Sequence, residues 1–89
     1  MDTTIRLKIK KEVDTPTARK ILKLKGSIIS NSFTDLIHYD DADEINYLHY
    51  FTIDILKKQE VIEYLNSFIK KEGLSNEIHI IENKKAIID

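Results

Sequence analysis

Residues 45–55 read I-N-Y-L-H-Y-F-T-I-D-I, and the fold turns on this stretch. Ile45, Tyr47, His49, Phe51, Ile53 and Ile55 alternate with Asn46, Leu48, Tyr50, Thr52 and Asp54. A strict period of two places the first set on one face of a strand. From about Lys57 the period changes to that of a helix. Val61, Ile62, Leu65, Phe68 and Ile69 form a stripe, with Lys58, Glu60, Glu63, Lys70 and Lys71 on the other faces. Gly73 followed by Leu74 predicts a left-handed stop in which Leu74 folds back on the last turn. The segment E-I-H-I-I at 77–81 then supplies a final strand.

Working towards the start of the chain, the residues before Ile45 read as a partner strand. S-F-T-D-L-I-H-Y at 32–39 is strand-like, and D-D-A-D-E at 40–44 is the hairpin loop between the two. Residues 27–32 read either as loop or as the beginning of that strand. Further upstream, T-I-R-L-K-I-K-K-E-V at 4–13 alternates Ile5, Leu7, Ile9 and Val13 against Arg6, Lys8, Lys10 and Glu12, with Lys11 breaking the apolar row. Between these strands a helix of about ten residues is expected. Asp14 or Thr15 is its N-cap, Pro16 lies in the first turn, and Gly26 is its stop. Ala18, Ile21, Leu22 and the methylenes of Lys25 would form its inner stripe.

The order strand, helix, strand, strand, helix, strand, with right-handed crossovers, predicts an α+β protein. The expected architecture is a ferredoxin-like βαββαβ sandwich, a four-stranded antiparallel sheet in order 4-1-3-2 with two helices on one face. The stretch A-I-I-D at 86–89 is a candidate short extra C-terminal strand, or a strand for a partner. The helices would cover Ile5, Leu7, Ile9, Ile45, Tyr47, Phe51 and Ile53. The opposite face would show Arg6, Lys8 and Lys10 beside Leu48, Tyr50 and Thr52, with Leu36 and His38 on the neighbouring strand.

The chain has 89 residues, 42% of them hydrophobic and 33% charged, with two Gly, one Pro and no Cys, which predicts one small domain over 1–89. A core of this size is thin, so burial against a partner would add stability. The lack of Cys removes thiolate chemistry, disulfides and Cys-ligated metals. M-D-T-T-I-R-L-K-I-K-K at 1–11 contains no apolar run of signal-peptide or membrane-span length, so the expected location is cytoplasmic. The net charge of −1 is a cancellation. Residues 1–26 carry eight basic and three acidic side chains, residues 27–54 carry six acidic and no basic ones, and residues 55–89 carry six of each. Such segregation suits two faces of opposite sign or complementary surfaces offered to a partner.

A hairpin loop over Asp40 to Glu44 would put Tyr39 opposite Ile45 and, in antiparallel register, Asp35 opposite His49. A carboxylate beside an imidazole raises its proton affinity and fixes its tautomer. With no nucleophile placed beside it, Asp35 and His49 are a candidate structural pair. His38, His79 and the carboxylates Asp40, Asp41, Asp43 and Glu44 lack the spacing of a metal site. The loop has neither the Gly nor the distal Glu of an EF-hand, and the histidines are not at i, i+4 on one helix. No catalytic residue, metal or cofactor is expected, because the chain has no Gly-rich phosphate loop, no G-x-S-x-G and no H-E-x-x-H.

Three families share the expected topology. RNA-recognition motifs stack bases on the open sheet face, but N-Y-L-H-Y-F-T-I at 46–53 has no Gly where that motif has one, and I-R-L-K-I at 5–9 has no aromatic. The glycine-rich first loop of acylphosphatases has no counterpart in K-E-V-D-T-P-T-A-R-K at 11–20. V-D-T-P at 13–16 resembles the V-D-x-P entry of amino-acid-binding regulatory domains of the ACT type over those four residues, without the Gly that follows there. That resemblance implies a small-molecule ligand near Asp14 to Thr17 or at a dimer interface.

The expected function is a non-enzymatic interaction or regulatory module that binds a protein partner or itself as a homodimer. Leu36, Leu48 and Tyr50 are its candidate apolar contact and Asp40, Asp41, Asp43 and Glu44 its polar one. The alternatives are an ACT-like ligand-binding domain and nucleic-acid binding through Arg6, Lys8, Lys10, Arg19, Lys20 and Lys23. The acidic hairpin beside the basic first strand argues against the latter.

Overall fold

A computed structural model describes residues 1–81 of the chain. The elements are β1 (Asp2–Lys10), α1 (Thr15–Ser30), β2 (His38–Asp41), β3 (Asn46–Asp54), a 3-10 turn at Ile55–Lys57, α2 (Lys58–Glu72) and β4 (Ile78–Ile81). The strands form one antiparallel sheet in the order β2-β3-β1-β4. This α+β architecture, with a four-stranded antiparallel sheet and two helices, is compatible with a ferredoxin-like fold. The stretch A-I-I-D at 86–89 lies outside the described residues.

Alternation decides which face of the sheet is buried. Ile5, Leu7 and Ile9 of β1, Phe51 and Ile53 of β3 and Ile78 of β4 are buried, and their register pairs Ile5 with Phe51 and Ile9 with Ile78. Against this face lie Ile21, Leu24 and Ile28 of α1 and Val61, Leu65 and Ile69 of α2, all in the same core cluster. The second helix ends as its sequence predicts. Gly73 has φ +69°, its N–H reaches the carbonyl of Lys70, and the Leu74 N–H reaches the carbonyl of Ile69 at 2.8 Å. Leu74 is thereby folded into the core.

The first helix is longer than expected and faces the core differently. Asp14 is its N-cap and accepts a hydrogen bond from the Thr17 N–H at 2.9 Å. The helix then runs through Gly26 to Ser30. Leu24 and Ile28 continue the stripe begun at Ile21, and their burial outweighs the roughly 1 kcal/mol that an interior glycine costs. The wall is therefore Ile21, Leu24 and Ile28, while Leu22 is 65% exposed. The stop lies at Ser32, with φ +62°, where the Phe33 N–H bonds back to the carbonyl of Ile28. Phe33 turns in against the core and meets the Tyr64 ring edge to face at 5.3 Å.

The hairpin also differs from the expected one. β2 has only four residues, and Asp40 and Asp41 belong to it rather than to the loop. Asp43 fixes the turn, its Oδ1 accepting from the N–H groups of Ile45 and Asn46 at 2.9 and 2.8 Å. A shorter, later turn shifts the register, so Tyr39 faces His49 and Asp41 faces Tyr47. Asp35 precedes the strand and is exposed, so the expected pairing of Asp35 with His49 does not exist. Ile45, expected beneath the helices, is in the turn and 66% exposed.

Candidate functional site

Both helices draw their buried stripes to one side of the sheet, and among the described residues no element packs over the other. The register lays out that open face in rows. One row crosses from His38 on β2 through Tyr50 on β3 and Arg6 on β1 to Ile81 on β4. The next runs through Asp40, Leu48, Lys8 and His79. Beyond it Asn46 pairs with Lys10. Leu48 and Tyr50 are partly buried by these neighbours, and His38 lies stacked on Tyr50 with ring centroids 5.1 Å apart and planes at 18°. The face thus carries His38 and the Asp40 carboxylate on β2, an apolar and aromatic stripe on β3 and a basic stripe on β1. Lys8 meets Asp43 of the turn at 3.9 Å, a long and half-exposed ion pair of small energetic value.

Leu36, expected on this face, precedes β2, belongs to no strand and is 59% exposed. Of the acidic cluster, Asp40 is on the open face. Asp41 points to the helix side, where it meets Lys11 at 3.0 Å, and Asp43 and Glu44 sit in the turn. The six candidate nucleic-acid contacts do not form one surface. Arg6, Lys8 and Lys10 alternate onto the open face, whereas Arg19, Lys20 and Lys23 belong to α1 on the opposite side of the sheet. Lys20 donates to the backbone carbonyl of Glu72 at 3.0 Å, tying the start of α1 to the end of α2.

The histidine expected beside a carboxylate sits beside a cation. His49 is 5% exposed on the helix side of β3, its Nε2 is 3.3 Å from Nζ of Lys25, and the Tyr39 ring stacks on it at 5.6 Å. Burial, and then the Lys25 charge, lower its pKa from 6.5 to about 4. The imidazole is neutral at pH 7, and an ammonium donating to Nε2 leaves the ring proton on Nδ1. That atom is buried and has no hydrogen-bond partner among the described residues. With one nitrogen engaged and the other enclosed, His49 is not placed to take a proton from a substrate. The helical period placed the methylenes of Lys25 on the inner stripe of α1, but not its ammonium beside His49, because the expected hairpin register set Asp35 there instead.

At the V-D-T-P turn the Asp14 carboxylate is engaged in capping α1. Its pKa is lowered by the hydrogen bonds from Thr17, with a smaller contribution from Lys20. Among the described residues no group of three His, Asp or Glu side chains converges on a common point suited to a metal ion, and no helix is long and apolar enough to cross a membrane. No protein-family model, curated protein or solved structure matches the chain.

Proposed function

We propose that the chain is a small, non-enzymatic interaction module of ferredoxin-like βαββαβ topology that binds through the open face of its sheet. One observation carries the reading. The central strand β3 presents Leu48 and Tyr50 on a face over which no described element packs, between a row of cations on β1 and the Asp40 carboxylate on β2, with Asp43 of the turn beside Lys8. Partly apolar surface framed by charge is the usual composition of a docking patch. Its mixed sign favours a protein surface over a polyanion, since Asp40 and Asp43 would repel phosphates that Arg6 and Lys8 attract.

Affinity capture from native lysate with the tagged full chain tests this. Leu48→Asp combined with Tyr50→Asp should abolish capture, whereas Leu56→Asp, an exposed apolar side chain in the 3-10 turn, should leave it unchanged. Identical capture by wild type and by the Leu48/Tyr50 variant would overturn the reading, provided circular dichroism shows both to be folded.

A further inference from the structure

We infer that the partner of the open face is a second copy of this chain, related by a two-fold axis that runs along β3. The inference rests on the open face being the binding surface and adds what occupies it. A two-fold interface must be self-complementary, because each patch meets its own image. The open face meets that condition in one orientation. When two such faces stack about an axis parallel to β3, the stripe of Leu48 and Tyr50 meets itself. The β2 edge of each copy then lies over β1 of the other, since β2 and β1 flank β3 on its two sides.

The rows stay aligned in this arrangement. Asp40 and Lys8 occupy the same row, one on each side of Leu48, so Asp40 of each copy meets Lys8 of the other. His38 of each copy likewise meets Arg6 of the other across the Tyr50 row. An axis in the same plane but perpendicular to the strands keeps each column over itself. It would set the cations of β1 against the cations of the other β1, an arrangement that like-charge repulsion disfavours. Among the described residues of one copy, the carboxylate nearest Lys8 is Asp43 at 3.9 Å, too long and too exposed to hold the ammonium away from a better partner.

Area sets the strength. With the axis along β3, β3 overlies its own image, β2 overlies β1 and β4 lies outside, so strands spaced about 4.8 Å apart, about 30 Å long for β3 and about 13 Å for β2, overlap over about 300 Å². Two such faces bury about 600 Å² in total, short of the roughly 1,000 Å² of a stable specific interface, so the dimer should be weak and form only towards the millimolar end of the concentration range.

Sedimentation velocity on the full chain, from micromolar to millimolar concentration, tests the inference when combined with charge reversal. Lys8→Asp places two carboxylates opposite each other at both symmetry-related contacts, and Asp40→Lys places two ammonium groups there. Each variant should weaken the dimer by about tenfold or more. An equimolar mixture of the two variants should restore it, because in a mixed dimer both contacts again join one carboxylate to one ammonium. A strict monomer throughout the concentration range overturns the second-copy inference while leaving the capture experiment to decide the open-face reading. A dimer that survives both single variants, or one that the mixture fails to restore, overturns the strand-parallel arrangement.

Discussion

The ammonium of Lys25 stands 3.3 Å from Nε2 of His49, joining the second half of α1 to the centre of β3. The contact exists because α1 continues through Gly26 and because the hairpin turns late enough to put Tyr39, rather than Asp35, beside the imidazole. It makes the fold sensitive to acid. The folded pKa of His49 is depressed from 6.5 to about 4, so between these values the unfolded chain binds a proton that the folded chain refuses. Its contribution to stability is complete above pH 6.5 and falls as the pH drops towards 4, by an amount on the order of 3 kcal/mol. Urea denaturation at pH 7 and pH 4.5 should show a steeper loss in wild type than in His49→Phe, which cannot titrate. Equal losses in the two proteins would show that His49 is not buried as described.

The same geometry predicts the effect of that substitution at neutral pH. Nδ1 of His49 carries the ring proton and is buried without an acceptor among the described residues, and a donor in that position costs about 1–3 kcal/mol. Phenylalanine keeps a flat ring under Tyr39 and removes the orphaned donor. Lys25 is only partly buried and can turn its ammonium to water. His49→Phe should therefore be neutral or stabilising by about 1 kcal/mol at pH 7, read as an unchanged or higher urea midpoint. A loss of several kcal/mol would mean that the contact with Lys25 is net favourable.

Backbone conformation at the helix ends and within α1 makes three predictions that differ in sign. Gly26 lies inside α1 with nothing within 4 Å of the position a Cβ would take, so Gly26→Ala should stabilise by about 0.5–1 kcal/mol. Ser32 holds φ +62° at the end of that helix, a region that glycine enters without steric cost, so Ser32→Gly should be neutral or stabilising. Gly73 holds φ +69° at the end of α2, and Gly73→Ala should destabilise by about 1 kcal/mol. Thermal melts of the three variants check this, each kilocalorie moving the midpoint by about 4–8 °C in a domain of this size. A gain for Gly73→Ala or a clear loss for Gly26→Ala would contradict the helix ends described above.

The legible parts of this fold are those with long, uninterrupted periodicity. β1, β3 and α2 declare themselves by sustained runs of one period, and Gly73 with Leu74 by a local motif that needs no knowledge of the rest of the chain. Gly26 misled because a glycine followed by Ser, Ile and Ile carries both a stop signal and a continuing stripe. Only the burial of Leu24 and Ile28 chooses between them. The hairpin register was beyond reach for a similar reason. Where the turn begins depends on which of three aspartates accepts the turn's N–H groups, and Asp43 does so while Asp40 and Asp41 enter a strand that disfavours them. The stripe of Arg6, Lys8 and Lys10 beside Leu48 and Tyr50 followed from alternation together with the expected strand order. The position of Leu36 and the pairing of His49 needed the register.

Asp43 itself supplies the last prediction. Its Oδ1 accepts from the N–H groups of Ile45 and Asn46, and both of its oxygens are within 3.3 Å of the Asn46 side-chain amide. The carbonyl of Asn46 in turn accepts from the N–H groups of Ala42 and Asp43. These bonds, led by that from Ile45, hold the carboxylate pKa below its ordinary 3.8. The ionised form is favoured by folding, so its contribution is complete above pH 3.8 and is lost as the pH falls through the lower folded value. Asp43→Ala should lower the urea midpoint at pH 7 and flatten the acid limb of the stability curve below pH 3.8. Because the turn selects the register, the variant should also loosen β2, seen as faster amide exchange at the β2–β3 ladder while β1 and α2 keep their protection. Unchanged exchange in Tyr39 and Asp41 would mean that the stacking of His38 on Tyr50 and of Tyr39 on His49 is enough to hold the edge strand without its turn.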